Sequence, residues 1–209
     1  MLTNDCFSRT GKISMKENRF EIRFSGAGGQ GIITAAIIFA EAAAIHESNY
    51  VCQTQSYGPE ARGGKSKAEV VVSNREIDYP KVMQLDMLLA MNQASCDAYF
   101  YDFKPNGLLI VDSTFVEHIP TSRVIAIPFT QIARETLGKA IVANMVALGA
   151  VANFCDVVSS KSIETALSAR APKGTKGINR KAFRAGIKAA QKINLEHLPR
   201  SIFPEEIEV

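Results

Sequence analysis

Residues 20 to 24, FEIRF, alternate apolar and polar positions, a period of two that predicts a half-buried strand. The strand runs directly into the glycine-rich SGAGGQG of residues 25 to 31. The next stretch, IITAAIIFAEAAAIH at 32 to 46, is rich in alanine and nearly uncharged, the pattern of a helix buried against a sheet. Residues 50 to 55 predict a second strand and SYGPEARGGKS, 56 to 66, a long loop. AEVVVS at 68 to 73, followed by NREIDYP, predicts a strand and a hairpin near 68 to 79. LDMLLAM at 85 to 91 opens into a helix over NQASCDAYFYDF. GLLIVDS at 107 to 113 and RVIAIPF at 123 to 129 are continuous apolar runs of the kind parallel sheets cover on both faces. A long helical region over about 130 to 155 and shorter helices at 160 to 170 and 179 to 193 complete the pattern. Alternating strands and helices predict a three-layer α/β/α fold with a mostly parallel sheet, made mixed by the hairpin.

Composition agrees with this picture. The chain has 209 residues, 46% of them hydrophobic and 22% charged, and a chain of this length buries roughly 70% of its unfolded surface in one core. We expect a single domain over residues 19 to 195, a polar N-terminal extension over 1 to 18 with Met15 as an alternative start, and a C-terminal tail over 196 to 209. A net charge of +3 is too small to imply a nucleic-acid or membrane partner. No apolar run reaches the roughly 18 residues of a membrane span, and no secretory signal opens the chain, so a cytoplasmic protein is expected. The strongest charge block is Arg170, Lys173, Lys176, Arg180, Lys181, Arg184, Lys188 and Lys192, without an intervening acid. It reads as a solvated helix face, with an acidic partner surface as the alternative. Cys6, Cys52, Cys96 and Cys155 lie more than 40 residues from one another and form no CxxC pair, which excludes a sequence-local zinc or iron–sulfur site and predicts reduced thiols.

Candidate chemistry sits in the loops. Gly26, Gly28 and Gly31 form GxGxxG between a strand and a helix, with Gly29 and Gln30 between them. Glycine permits positive φ and close backbone approach, while the helix that follows presents unpaired N–H groups to an anion. A dinucleotide site would also need an acidic residue at the carboxyl end of the second strand. Glu47 precedes that strand, and its end carries Gln53, Thr54 and Gln55 instead, so a phosphate or other anion ranks above a nicotinamide cofactor. The second loop is expected on the same sheet edge. It places Gln55, Ser56, Tyr57, Gly58 and Glu60 beside Arg62, whose flanking Gly63 and Gly64 leave the guanidinium room for a two-point contact with an oxyanion. A Glu60–Arg62 pair is the structural alternative. Asn92 and Asp112 end strands on the same edge and read as helix caps or turn residues. His46, His118 and His197 are scattered, and no nucleophile with its base can be assembled.

SGAGGQG, QTQSYGPEARGG at 53 to 64, EIDYP at 76 to 80, DMLLAMNQ at 86 to 93, GLLIVDS, NMVALGA at 144 to 150 and NRKAFRAG at 179 to 186 occur in order over about residues 20 to 190. Together they resemble the gamma subunit of 2-oxoacid:ferredoxin oxidoreductases, most closely the 2-oxoglutarate type. The resemblance implies oxidative decarboxylation of a 2-oxoacid with coenzyme A to an acyl-CoA and carbon dioxide, the electrons passing to ferredoxin. It further implies no cofactor bound by this chain alone. Thiamine diphosphate, magnesium and iron–sulfur clusters are then carried by alpha, beta and, where present, delta subunits. No residue is assigned to catalysis. Gly26, Gly28, Gly29, Gln30 and Gly31, with Gln55, Ser56, Tyr57, Gly58, Glu60, Arg62, Gly63 and Gly64, carry over as the two ligand-facing loops. A stand-alone nucleotide- or anion-binding module and an NAD(P)-dependent oxidoreductase are the competing readings.

Overall fold

A computed structural model describes Ile13, Met15, residues 18–57 and residues 65–202. Six strands, β1 (Arg19–Ala27), β2 (Tyr50–Tyr57), β3 (Lys65–Ser73), β4 (Leu85–Ala90), β5 (Phe103–Asp112) and β6 (Val124–Ile127), form one sheet in the order β2-β3-β1-β4-β5-β6. β1, β4, β5 and β6 are parallel, whereas β3 lies antiparallel to both β1 and β2. The sheet is therefore mixed, as expected, but the antiparallel strand is paired differently. Its hairpin partner is the preceding β2, and NREIDYP, expected to turn a hairpin near 68 to 79, leads into no strand before β4. Arg19 explains part of this. Its guanidinium donates to the Tyr79 and Lys81 carbonyls, both at 2.9 Å, and Glu21 accepts from the Met83 and Gln84 amides, so side chains satisfy the segment's backbone.

The helices are α1 (Ile32–Glu41), α2 (Gln93–Tyr99), α3 (Phe129–Leu137), α4 (Ala143–Phe154), α5 (Ser160–Arg170) and α6 (Lys176–Ala190). One sheet face carries Phe20, Ile22 and Phe24 of β1 with Val70 and Val72 of β3, packed against α1, α3, α4, α5 and α6. The other face is covered over β4 and β5 by α2, Val116 and Ile202. This is the expected three-layer arrangement, with the second layer much smaller than the first. The helical region expected over 130 to 155 is interrupted at Gly138, whose φ of 69° ends α3 with a left-handed cap. α1 continues into a π-turn at Ala42–His46.

α4 and α6 pack at the distance glycine allows. A Cβ on Gly149 would overlap the Phe183 carbonyl, and one on Gly186 would overlap the Val146 carbonyl. The NMVALGA and NRKAFRAG motifs therefore meet each other in the core. Two segments assigned to tails in sequence also reach the domain. Ile13 is buried and exchanges backbone hydrogen bonds with Phe154 and Asp156, both at 2.9 Å. At the other end Ile202 is buried, its amide donates to Pro105 O at 2.7 Å, and buried Arg123 donates to the carbonyls of Gly107 and Pro199.

Candidate functional site

The glycine loop leaves β1 at the carboxyl edge of the parallel strands. The first helical hydrogen bond runs from Ala35 N to Gly31 O at 3.2 Å. Gly31 is thus the residue before α1 rather than its first turn, and the amides of residues 32 to 34 have no partner within the helix. Gly29 and Gly31 have φ of 89° and 71°, the left-handed region where glycine is required. Gly26 is constrained by space, since a Cβ there would sit 2.5 Å from the Gln30 amide oxygen and 3.1 Å from Met91. Gly28 is exposed in the turn.

Gln30 holds the loop on the sheet. Its Oε1 accepts from Ala27 N at 2.7 Å and its Nε2 donates to Met91 O at 3.1 Å, so the amide joins the ends of β1 and β4. Asn144, at the start of α4, donates from Nδ2 to Gly31 O at 3.0 Å. Asn144 opens the NMVALGA motif, but its contact with the glycine loop was not legible there, because its partner lies 113 residues away.

The second loop starts and finishes beside the first. β2 and β1 run in the same direction on either side of β3, with Tyr57 opposite Ser66, Ser66 opposite Gly26 and Lys65 opposite Ala27. Gln55 ends the expected strand, but β2 runs on through Ser56 and Tyr57 and β3 begins at Lys65, which shortens the loop from the expected 56 to 66. All three are exposed at this edge. Gly58, Glu60, Arg62, Gly63 and Gly64 lie outside the described residues. The expectation that both loops share one edge is supported by their anchors.

A cavity of about 270 Å³ opens at this edge between the glycine loop and α3, lined by Gly29, Gln30, Met91, Phe115, Thr130, Arg134, Ala140, Ile141 and Ala143. Its edge is fixed by caps. Asn92 Oδ1 accepts from Ser95 N at 3.0 Å and starts α2. Buried Asp112 accepts from Thr130 N, Thr130 Oγ1 and Thr114 N. Asn92 therefore acts as a helix cap and Asp112 as a turn residue, the two readings their sequence positions suggested, and Asp112 also ties down the first turn of α3. Glu47 lies at the other end of the sheet, where its carboxylate accepts from Ser159 N at 3.0 Å. Hydrogen bonds from Ser162, and then Ser159, outweigh partial burial and hold its pKa below the usual carboxylate value. It is unavailable to a ribose at the glycine loop.

On the sheet face opposite α1, the Arg23 guanidinium bridges Glu69 and Asp102 and lies 4.7 Å from the centre of the Tyr99 ring. Lys67 also binds Glu69, at 2.9 Å. This cluster is internally neutralised. Among the described residues no three histidine, cysteine, aspartate or glutamate side chains converge as metal ligands. Cys52, Cys96 and Cys155 are free and lie on different elements, so these residues do not fit an iron–sulfur cluster, which needs converging thiolates. No helix among the described residues is long and apolar enough to cross a membrane.

The glycine loop and the crevice lie together at the carboxyl edge of the parallel strands, the edge at which open α/β folds bind ligands. The family model for pyruvate ferredoxin/flavodoxin oxidoreductase matches residues 21–189. The 2-oxoglutarate synthase subunit KorC of Methanocaldococcus jannaschii is 46% identical over 179 residues, covering 84% of this chain and 96% of that subunit. The common gamma subunit of the pyruvate and ketoisovalerate oxidoreductases of Pyrococcus abyssi is 33% identical, covering 70% of this chain and 84% of its own length. Among solved structures, the gamma subunit of a keto/oxoacid ferredoxin oxidoreductase from Geobacter sulfurreducens superposes with a TM-score of 0.77 at 45% identity, over 83% of this chain and 97% of that one. The chain belongs to the pyruvate ferredoxin/flavodoxin oxidoreductase family. Within it, the chain is a gamma-type subunit of a multi-subunit oxidoreductase.

Proposed function

We propose that the chain is the gamma subunit of a 2-oxoglutarate:ferredoxin oxidoreductase. The complex converts 2-oxoglutarate and coenzyme A to succinyl-CoA and carbon dioxide and passes the electrons to ferredoxin. The observation that carries this reading is 46% identity across 96% of a 2-oxoglutarate synthase subunit. The dispersed cysteines and the lack of a converging ligand set among the described residues agree with thiamine diphosphate, magnesium and iron–sulfur clusters residing on alpha, beta and delta partners. In that complex the chain works in the cytoplasm.

This chain's own contribution is the carboxyl edge of its sheet. Gly26, Gly28, Gly29, Gln30 and Gly31 shape one wall of the approach to the reacting centre. Gln55, Ser56, Tyr57, Gly58, Glu60, Arg62, Gly63 and Gly64 shape the other, with Arg62 meeting an anionic group of the 2-oxoacid or of coenzyme A. The positive end of α1 beside these residues favours the same sign of ligand.

Co-expression with the neighbouring thiamine-binding and ferredoxin-like subunits, purification and viologen-reduction assays test the reading. 2-Oxoglutarate should be oxidised in a coenzyme A-dependent reaction at least tenfold faster than 2-oxoisovalerate or pyruvate. A preference for 2-oxoisovalerate would assign the complex to the branched-chain class. Arg62→Ala should cost roughly 10- to 150-fold in apparent affinity or rate, the range of a lost charge-assisted contact.

A further inference from the structure

We infer that Arg134 is an oxyanion-binding residue of the glycine-loop crevice, and that the crevice accepts an anionic group carried on a short uncharged stem. The inference rests on the proposed role of the carboxyl edge as the ligand edge. Arg134 stands in the last turn of α3 and, among the described residues, is the one formally charged side chain lining the crevice. It is exposed, and although its carbonyl accepts from Gly138 N, its guanidinium has no hydrogen bond or ion pair with a described residue. The nearby acids are engaged elsewhere. Asp112 is buried beneath Thr130 and Thr114, and Glu135 accepts from Gln131 at 2.8 Å.

The other walls set the stem. Met91, Ala140 and Ala143 are apolar, and Phe115 and Ile141 remain 41% and 76% exposed beside the opening. Gln30 uses its side-chain amide on the sheet, as described above, and its backbone N–H donates to Ala27 O at 3.1 Å, so among the described lining residues Arg134 is the charged donor left to the space. A volume of about 270 Å³ falls just below the roughly 300–1,000 Å³ of whole-ligand pockets. It has room for a phosphate or carboxylate with a few attached carbons and excludes a dinucleotide. A cation would meet the Arg134 guanidinium in this space. A helix-terminal arginine that merely complements the α3 dipole would serve without a cavity in front of it.

The full chain titrated separately with inorganic pyrophosphate and with glutarate, followed through the backbone amide resonances of Gly29, Gln30 and Ile32, tests the assignment. Saturable shifts are expected, weakened about 10- to 100-fold by Arg134→Gln and restored in part by Arg134→Lys, with thermal melts confirming that both variants fold. The tighter probe identifies the source of the oxyanion as phosphate or carboxylate. Equal affinity in Arg134→Gln, shifts that follow ionic strength alone, or no saturable binding of either probe would overturn the inference. In the assembled enzyme, Arg134→Gln should raise the apparent KM of one reactant while kcat stays unchanged. Binding by the chain together with an assembled complex inactive on every 2-oxoacid would sink the proposed function and leave Arg134 assigned.

Discussion

Asn144 Nδ2 donates to the carbonyl oxygen of Gly31 at 3.0 Å, so the first residues of α4 hold the glycine loop in place. The same amide occupies the space that a side chain at Gly31 would need. Loop geometry is therefore set jointly by a left-handed glycine and a distant asparagine.

Gly31→Ala should destabilise the chain by on the order of 1 to 3 kcal/mol through its positive φ, with displacement of Asn144 adding to this. Asn144→Ala alone should cost about 1 kcal/mol. In a urea-unfolding double-mutant cycle the double variant should lose less than the sum of the singles, since removing Asn144 relieves the crowding. Additive losses would mean that the two positions are uncoupled.

Gly149→Ala and Gly186→Ala each push a methyl group into a backbone carbonyl of the facing helix. Backbone cannot rotate aside as a side chain can, so each variant should lose at least about 2 kcal/mol. Gly177, whose Cβ would meet nothing within 4 Å, is the control. There, alanine should stabilise α6 slightly. Circular-dichroism melts separate the three.

Two buried carboxylates should respond oppositely to acid. Burial raises the pKa of Glu69, but the Lys67 hydrogen bond and the Arg23 charge outweigh it and leave the group below its ordinary 4.5. Its stabilising contribution is present above 4.5 and is lost as pH falls through the lowered folded value. Burial raises Asp86 above its ordinary 3.8 despite Lys104 at 2.7 Å. Its contribution is present below 3.8 and is lost as pH rises through the raised folded value. Glu69→Gln should therefore cost about 2 kcal/mol at pH 7 and progressively less toward pH 3. Asp86→Asn should gain stability relative to the parent chain between pH 3 and pH 7. Unfolding series across that range would refute the assignments if the two variants behaved alike.

Thiol labelling gives a further check. Burial pushes the Cys96 thiol up to about 11 and the Cys155 thiol up to about 12, so almost no thiolate exists at neutral pH. Iodoacetamide at pH 7.5 should leave both unmodified in the native chain and label both in urea, as read by mass spectrometry. Rapid native labelling of Cys155 would mean that the Ile13–Phe154 contact opens readily.

Patterns local to one element were legible in the sequence. The alternation of FEIRF marked the two faces of β1, and the continuous apolar runs at 85 to 91 and 107 to 113 marked strands buried on both sides. The glycine loop, its edge of the sheet, the cap Asn92 and the turn residue Asp112 followed from the same reading. Features that depend on packing between distant segments did not. The partner of β3 was misread because NREIDYP has turn chemistry, whereas its backbone is satisfied by Arg19 and Glu21. Arg134 and Asn144 looked like ordinary helix residues until α3 and α4 were packed beside the loop. The reading of NMVALGA and NRKAFRAG as family motifs carried no hint that their glycines touch one another.

The β2–β3 hairpin has a consequence for how such chains diversify. Its strands pair in unbroken register from Tyr50 opposite Ser73 to Tyr57 opposite Ser66, and β3 is then captured by β1. The connecting segment is consequently held by its two ends, independently of its length. Lengthening a loop closed in this way costs only about 0.6 kcal/mol per doubling, and the facing of Gln55 against Ala68 is untouched. Evolution can therefore exchange or extend the whole segment between β2 and β3 while the remainder of the molecule folds as before.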